Sequence, residues 1–96
     1  MANVHITFRD AVQVGGSSIP SREPRVAETN VSSGSSVATA ITAKAGEIIQ
    51  IATDGTIYVR VGSAPTAATD TGDMLPAGVY QFGLANDGDK VAFIDV

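Results

Sequence analysis

The sequence predicts an all-β fold: a small antiparallel β-sandwich or jelly-roll-like barrel with an extended N-terminal arm. Three observations lead there. Apolar and polar residues alternate with a period of two in short runs, as strands with one buried face require. Clusters of Gly, Pro, Asn, Asp and Ser interrupt those runs at intervals of about 8–12 residues, the spacing of antiparallel sandwiches and small barrels. No segment makes a convincing helix; the Ala-containing run Ser36–Thr42 is the nearest, and its four β-branched residues in seven turn it towards strand.

From the N-terminus, residues 1–8 read as a strand with Val4, Ile6 and Phe8 on one face and His5 and Thr7 on the other. Arg9-Asp10 interrupts it, and Ala11–Val14 continues it after a bulge or short turn. Residues 15–24, GGSSIPSREP, hold neither a helix nor a central strand and read as a loop or extended arm. The chain thus divides into an N-terminal strand and arm, 1–24, and a β-sandwich body, 25–96. Within the body, 25–31 is a strand, SSGS a turn, Ser36–Thr42 a strand and AKAG a second turn.

The strongest local signal is Glu47–Val61, EIIQIATDGTIYVRV. Two β-branched runs flank Asp54-Gly55, a dipeptide that tolerates the positive φ angles of a type I′ turn, so a β-hairpin is expected. Its second arm places Ile57, Val59 and Val61 in the core, with Tyr58 and Arg60 opposite. Residues 62–73 read as a long surface loop, and Pro76-Ala77-Gly78 as a turn. Residues 79–85 read as a strand with Tyr80, Phe82 and Leu84 on one face. NDGD is a second hairpin turn, and 90–96 the closing strand.

Composition bounds the function. The 96 residues suit one domain, and no cysteine is present, which excludes disulfides and thiolate metal sites. No basic-then-apolar leader and no apolar run of about 18 residues occur, so neither secretion nor a membrane span is expected. The net charge of −4 is uneven: residues 1–44 carry +1 and residues 45–96 carry −5. An acidic body argues against nucleic-acid binding, which needs clustered Lys and Arg.

Candidates for chemistry are weak. His5 is the only histidine, the serines cluster in turns, and no nucleophile–base pair is legible, so the chain is read as not an enzyme, without cofactor or small-molecule substrate. Asp70-Thr71-Gly72-Asp73 and Asn86-Asp87-Gly88-Asp89 offer oxygen ligands for Ca²⁺ but lack the EF-hand pattern, and turn chemistry accounts for them. Gly15-Gly16-Ser17-Ser18 lacks the lysine and setting of a phosphate loop. Tyr58 and Tyr80 are the candidate aromatic platforms for sugar, and core or interface packing is the more ordinary use of both.

The succession IYVRVG, SAPTAA, LPAGV, YQFGL and GDKVAFI, across about residues 50–96, resembles small accessory structural proteins of tailed-bacteriophage virions. The resemblance implies a compact β-sandwich or jelly-roll-like domain that decorates a capsid or joins virion parts, with no catalytic residues to transfer. The leading expectation is a capsid decoration (cement) protein, a homotrimer located in the virion, whose partner is the major capsid protein or another virion protein. The runners-up are a tail, baseplate, head–tail connector or head-fibre base component, and, from another class, a carbohydrate-binding module. The mildly basic, Gly/Pro-jointed N-terminal half beside an acidic body makes Phe8, Arg9, Arg22 and Arg25 the candidate partner contacts. Deleting residues 1–24 is then expected to abolish binding and leave the body folded.

Overall fold

A computed structural model of the chain describes residues 2–14, 16–20, 23–68 and 72–96. Among these described residues the alternating apolar runs form ten strands. These are β1 (Asn3–Arg9), β2 (Ala11–Val14), β3 (Ser17–Pro20), β4 (Val26–Val31), β5 (Val37–Ala38), β6 (Ile48–Thr53), β7 (Ile57–Gly62), β8 (Asp73–Leu75), β9 (Gly78–Phe82) and β10 (Lys90–Asp95). Eight of them build two antiparallel four-stranded sheets, ordered β4-β1-β6-β9 and β5-β10-β7-β8, while β2 and β3 form a separate ribbon.

Each sheet turns its apolar row inward. Val4, Ile6 and Phe8 of β1 join Ile49 and Ile51 of β6, and these share one core with Ile57 and Val59 of β7, Leu75 of β8, and Val91 and Phe93 of β10. Alternation along each strand thus sets both inner faces, as the period-two reading requires.

The pairing differs from the sequence expectation in three places. First, Ile48–Thr53 and Ile57–Gly62 are not a hairpin, because β6 pairs with β1 and β9 while β7 pairs with β10 and β8. The turn between them is an arch that crosses from one sheet to the other. Its Asp54 carboxylate accepts from the Asn3 amide at 2.7 Å and from Asn3 Nδ2 at 3.0 Å, and Thr53 Oγ1 donates to the Gly55 carbonyl at 2.7 Å. Gly55 takes no positive φ, so the type I′ geometry is not formed. The arch brings two apolar rows into one core, whereas a hairpin would set both on one face of one sheet. Val61, expected inside, is 40% exposed.

Second, the NDGD turn also joins strands of different sheets, β9 and β10. Of the aromatic row expected before it, Tyr80 and Phe82 pack on the core, but Leu84 is 56% exposed and Ala85 is buried in its place.

Third, β1 is not part of an arm. It lies between β4 and β6, with antiparallel registers Phe8↔Val26 and Phe8↔Ile49. Residues 1–24 are therefore not separable from the body, and deleting them would remove an interior strand of the sheet.

The outer faces of the two sheets are treated differently. Over β7 and β10, the loop after β7 folds back, buries Ala67 against Ala92, Ile94 and Tyr58, and is held by the Ala67 amide donating to Ser36 Oγ at 2.9 Å. The outer face of the other sheet is exposed at Thr29, His5, Val79 and Gln81, whereas Thr7 and Ile48 on the same face are buried. Its rows run Thr29–His5–Ala52–Val79 and Ala27–Thr7–Gln50–Gln81 across the four strands. Cross-strand bonds knit it, His5 Nδ1 to Thr29 Oγ1 at 2.6 Å and Gln81 Nε2 donating to Gln50 Oε1 at 3.2 Å.

Gly72 fixes the entry to β8. Its φ is +75°, and a Cβ there would lie 2.3 Å from the Val59 carbonyl oxygen. Gly72→Ala is expected to lower stability by about 1–3 kcal/mol. An unchanged urea midpoint would show that this approach is not tight.

Candidate partner-binding site at the N-terminal ribbon

Between Arg9 and Arg25 the chain leaves the sheet and returns. Val14↔Ser17 closes the β2–β3 ribbon, with Gly16 at φ +85° in the turn. The segment expected as an irregular arm over 15–24 is thus a strand from Ser17 to Pro20. The ribbon is a sheet of its own, hydrogen-bonded as a strand to neither four-stranded sheet. The molecule measures 41 × 24 × 21 Å.

The base of the ribbon is tied by hydrogen bonds and an ion pair. The Arg25 amide donates to the Phe8 carbonyl at 2.8 Å, closing the neck. The Arg25 guanidinium grips Glu47 with two bonds, Nε to Oε2 at 2.8 Å and Nη2 to Oε1 at 2.9 Å, and Nη2 also donates to the Thr42 carbonyl at 2.7 Å. Glu47 is 2% exposed and accepts a further bond from the Lys44 amide at 2.6 Å. A two-pronged guanidinium–carboxylate pair of this kind is both strong and directional. The Arg25 hydrogen bond holds the Glu47 carboxyl below the usual glutamate range, and the same bond raises the Arg25 guanidinium.

The four candidate contacts are therefore not one surface. Phe8 is fully buried in the core and supports the fold; alternation with Val4 and Ile6 already placed it on the apolar face. Arg25 is committed within its own chain as the clamp on Glu47. Arg9 stands at the end of β1, its Nε donating to Thr7 Oγ1 at 3.3 Å. Arg22 lies outside the described residues. Glu47 is the residue that sequence reasoning missed: it stands 22 positions from Arg25, with no local pattern linking the two.

Other candidates resolve into structure. Asp89 Oδ2 accepts from the Asn86 amide at 2.9 Å and Gly88 takes φ +85°, the ordinary chemistry of a turn. Asp70 and Thr71, of the other acidic cluster, lie outside the described residues. Among the described residues no group of three or more His, Asp or Glu could hold a metal ion. Tyr58 is half-buried in the small outer cluster, and Tyr80 is half-buried with its hydroxyl donating to the Pro76 carbonyl at 2.6 Å, so neither ring presents an open platform. A cavity of about 370 Å³ opens between the sheets, lined by Ile49, Val59, Phe82 and Leu84 together with Arg60 and Asp73. Among the described residues no helix is long and apolar enough to cross a membrane.

Comparison with protein-family models, with curated proteins and with solved structures finds no match for this chain.

Proposed function

We propose that this chain is a structural protein of a tailed-bacteriophage virion, a capsid decoration protein that clips to the outer surface of the assembled shell. The observation that carries the reading is the β2–β3 ribbon, a two-stranded sheet separate from the two four-stranded ones, with its base tied by the Arg25–Glu47 pair. A two-stranded ribbon alone is marginally stable in water, so one that a fold presents in this way suits ordering against another surface. Mechanistically, a protein that binds the assembled lattice and not its separate subunits stabilises the lattice by mass action.

Strand order supports the companion proposal that the two sheets are halves of a jelly roll, an architecture used in viral capsid domains. From β4 onward the chain makes nested antiparallel pairs: β7 with β8, β6 with β9, and β5 with β10. The outermost pair is completed by β1 beside β4. In this reading β1 fills the place of a strand that would follow β10, and the fold is a permuted jelly roll. Ala2 and Asp95 are tied through Ser32, whose Oγ accepts from the Ala2 amide at 2.7 Å and donates to the Asp95 carboxylate, so the end of β10 and the start of β1 adjoin.

The test is excision of the ribbon. Because Arg9 and Arg25 flank a closed neck, replacing residues 11–23 with Asn-Gly is expected to leave the body folded, with a cooperative urea transition followed by circular dichroism, and to abolish occupancy on capsids. Full occupancy by the excised variant removes the ribbon from the contact. Counting copies in purified virions tests the class: hundreds per particle fit decoration, while six or twelve, or none, overturn it.

A further inference from the structure

We infer that the free edge of β9, together with the cleft that opens beside it between the sheets, is a docking site for an extended segment of a partner protein. The segment adds as a fifth strand to the β4-β1-β6-β9 sheet. Apolar side chains at alternate positions turn into the cleft, and basic residues stand between them. This inference stands independently of the virion reading.

Two features meet at this edge, and the first is backbone. β9 pairs with β6 along Gly78–Phe82, and among the described residues no strand lies on its other side. Every second residue of such an edge turns an amide and a carbonyl outward. Edges of this kind are ordinarily blunted by charge, by proline or by a covering loop. The opposite edge strand of the sheet, β4, has Glu28, which accepts from the Ala40 and Ile41 amides of the chain after β5 at 3.0 and 3.3 Å. From Gly78 to Phe82, β9 carries neither charge nor proline.

The second feature is the cleft. β8 is three residues long and pairs with β7 from Ile57 to Val59. β9 runs on to Phe82, opposite Ile49. Where β8 stops short, the cavity of about 370 Å³ opens along the edge. Val61 and Leu84 line it at 40% and 56% exposure, with Ile49, Val59 and Phe82 beside them. A strand paired with β9 sets its inward side chains next to the Tyr80–Phe82 row, and so over this opening. Main-chain bonds then give affinity and the cleft gives specificity, the division of labour in strand addition.

The site selects among occupants. A purely apolar molecule fills the cleft but leaves the edge amides unpaired. A second copy offering its own β9 pairs the edge but leaves the cleft empty, because its Tyr80 and Phe82 pack on its own core. Such a pair also brings two acidic halves together, since residues 45–96, which supply every residue lining the cleft, carry −5. Asp73 and Asp89 line the cleft against a single cation, Arg60. Lysine or arginine between the apolar residues of the segment is the complementary charge.

The probe is a labelled peptide with valine at alternate positions and serine or lysine between them, added to the whole chain. Fluorescence anisotropy is expected to show saturable binding between about 10 and about 500 µM, because five paired residues make a small interface. Alternate amides of β9 are expected to exchange hydrogen at least about tenfold more slowly in the complex. Leu84→Lys and Val61→Lys, both in the cleft, are expected to weaken binding at least about tenfold. Leu84→Lys should keep the wild-type melting temperature, so it decides should Val61→Lys fail to fold. Ala27→Glu, on the β4 edge, is expected to bind as wild type does. So is the chain with residues 11–23 replaced by Asn-Gly, which separates this site from the ribbon. Absence of saturable binding, equal binding of the peptide methylated on its amide nitrogens, or no loss on exchanging its lysines for glutamate each overturns the proposal. Protection confined to β4, or binding indifferent to Leu84→Lys, does the same. A dimer of the chain alone in sedimentation equilibrium that Leu84→Lys dissociates assigns the edge to a second copy and overturns it too.

Discussion

Replacing Phe8 with alanine is expected to cost about 3–5 kcal/mol of folding stability, a large share of the roughly 5–15 kcal/mol available to a small domain. The ring is fully buried in the core cluster that also holds Ile6, Ile49 and Phe93. Truncation removes its transfer free energy and leaves a cavity that β1, hydrogen-bonded on both sides, cannot collapse to fill. The readout is the midpoint of urea unfolding followed by circular dichroism. A variant as stable as wild type would mean that Phe8 belongs to an arm after all and that β1 is dispensable. The same reasoning reverses the expectation for deletion of residues 1–24, which removes Val4, Ile6 and Phe8 together.

Arg25→Ala is the second large effect, expected at about 2–3 kcal/mol near pH 7. Removing one partner of a buried pair strands the other, and here water reaching the guanidinium side, 29% exposed, moderates the loss. Glu47 keeps its bond from Lys44 but loses both bonds from Arg25. The effect depends on pH in a defined sense. The folded-state pKa of Glu47 is depressed by the Arg25 bond, so its contribution is fully present above the unfolded value of about 4.3 and is lost as the pH falls through the lower folded value. The difference between wild type and Arg25→Ala should therefore shrink in acid as Glu47 takes up its proton. Asp54, also depressed by its bond from the Asn3 amide, weakens wild type and variant alike over the same range. Unfolding curves between pH 2.5 and 7 check this, and a destabilisation by Arg25→Ala that stayed constant across that range would dispose of the clamp.

Much of the fold was legible as strands and little of it as pairing. The rows Val4-Ile6-Phe8 and Ile57-Val59 announced their inward faces because a half-buried strand imposes a period of two. What they could not announce was the neighbour. Thr53-Asp54-Gly55-Thr56 has hairpin composition, yet Asp54 bonds to Asn3, 51 positions away, and the turn becomes a crossing between sheets. Local propensity at a turn is worth less than burying two apolar rows in one core. The short strand Val37–Ala38 shows the same competition: from Thr39 the chain leaves the sheet, with the Ala40 and Ile41 amides donating to the Glu28 carboxylate. The candidate site was half visible. The Gly/Pro-jointed segment marked where the ribbon stands, but Arg25 read as a surface charge because its partner is distant in sequence.

The placement of β1 and β10 bears on how the chain can fold. They lie at opposite ends of the sequence, and each holds an interior position in one of the two sheets. Neither sheet can complete its middle until strands far apart in the chain have met, and both turns that looked able to nucleate a local hairpin join different sheets instead. Such a topology has high contact order and offers little partial structure to stabilise on the way. Folding should accordingly be slow for the chain's size and close to all-or-none, with no half of the molecule able to stand without the other.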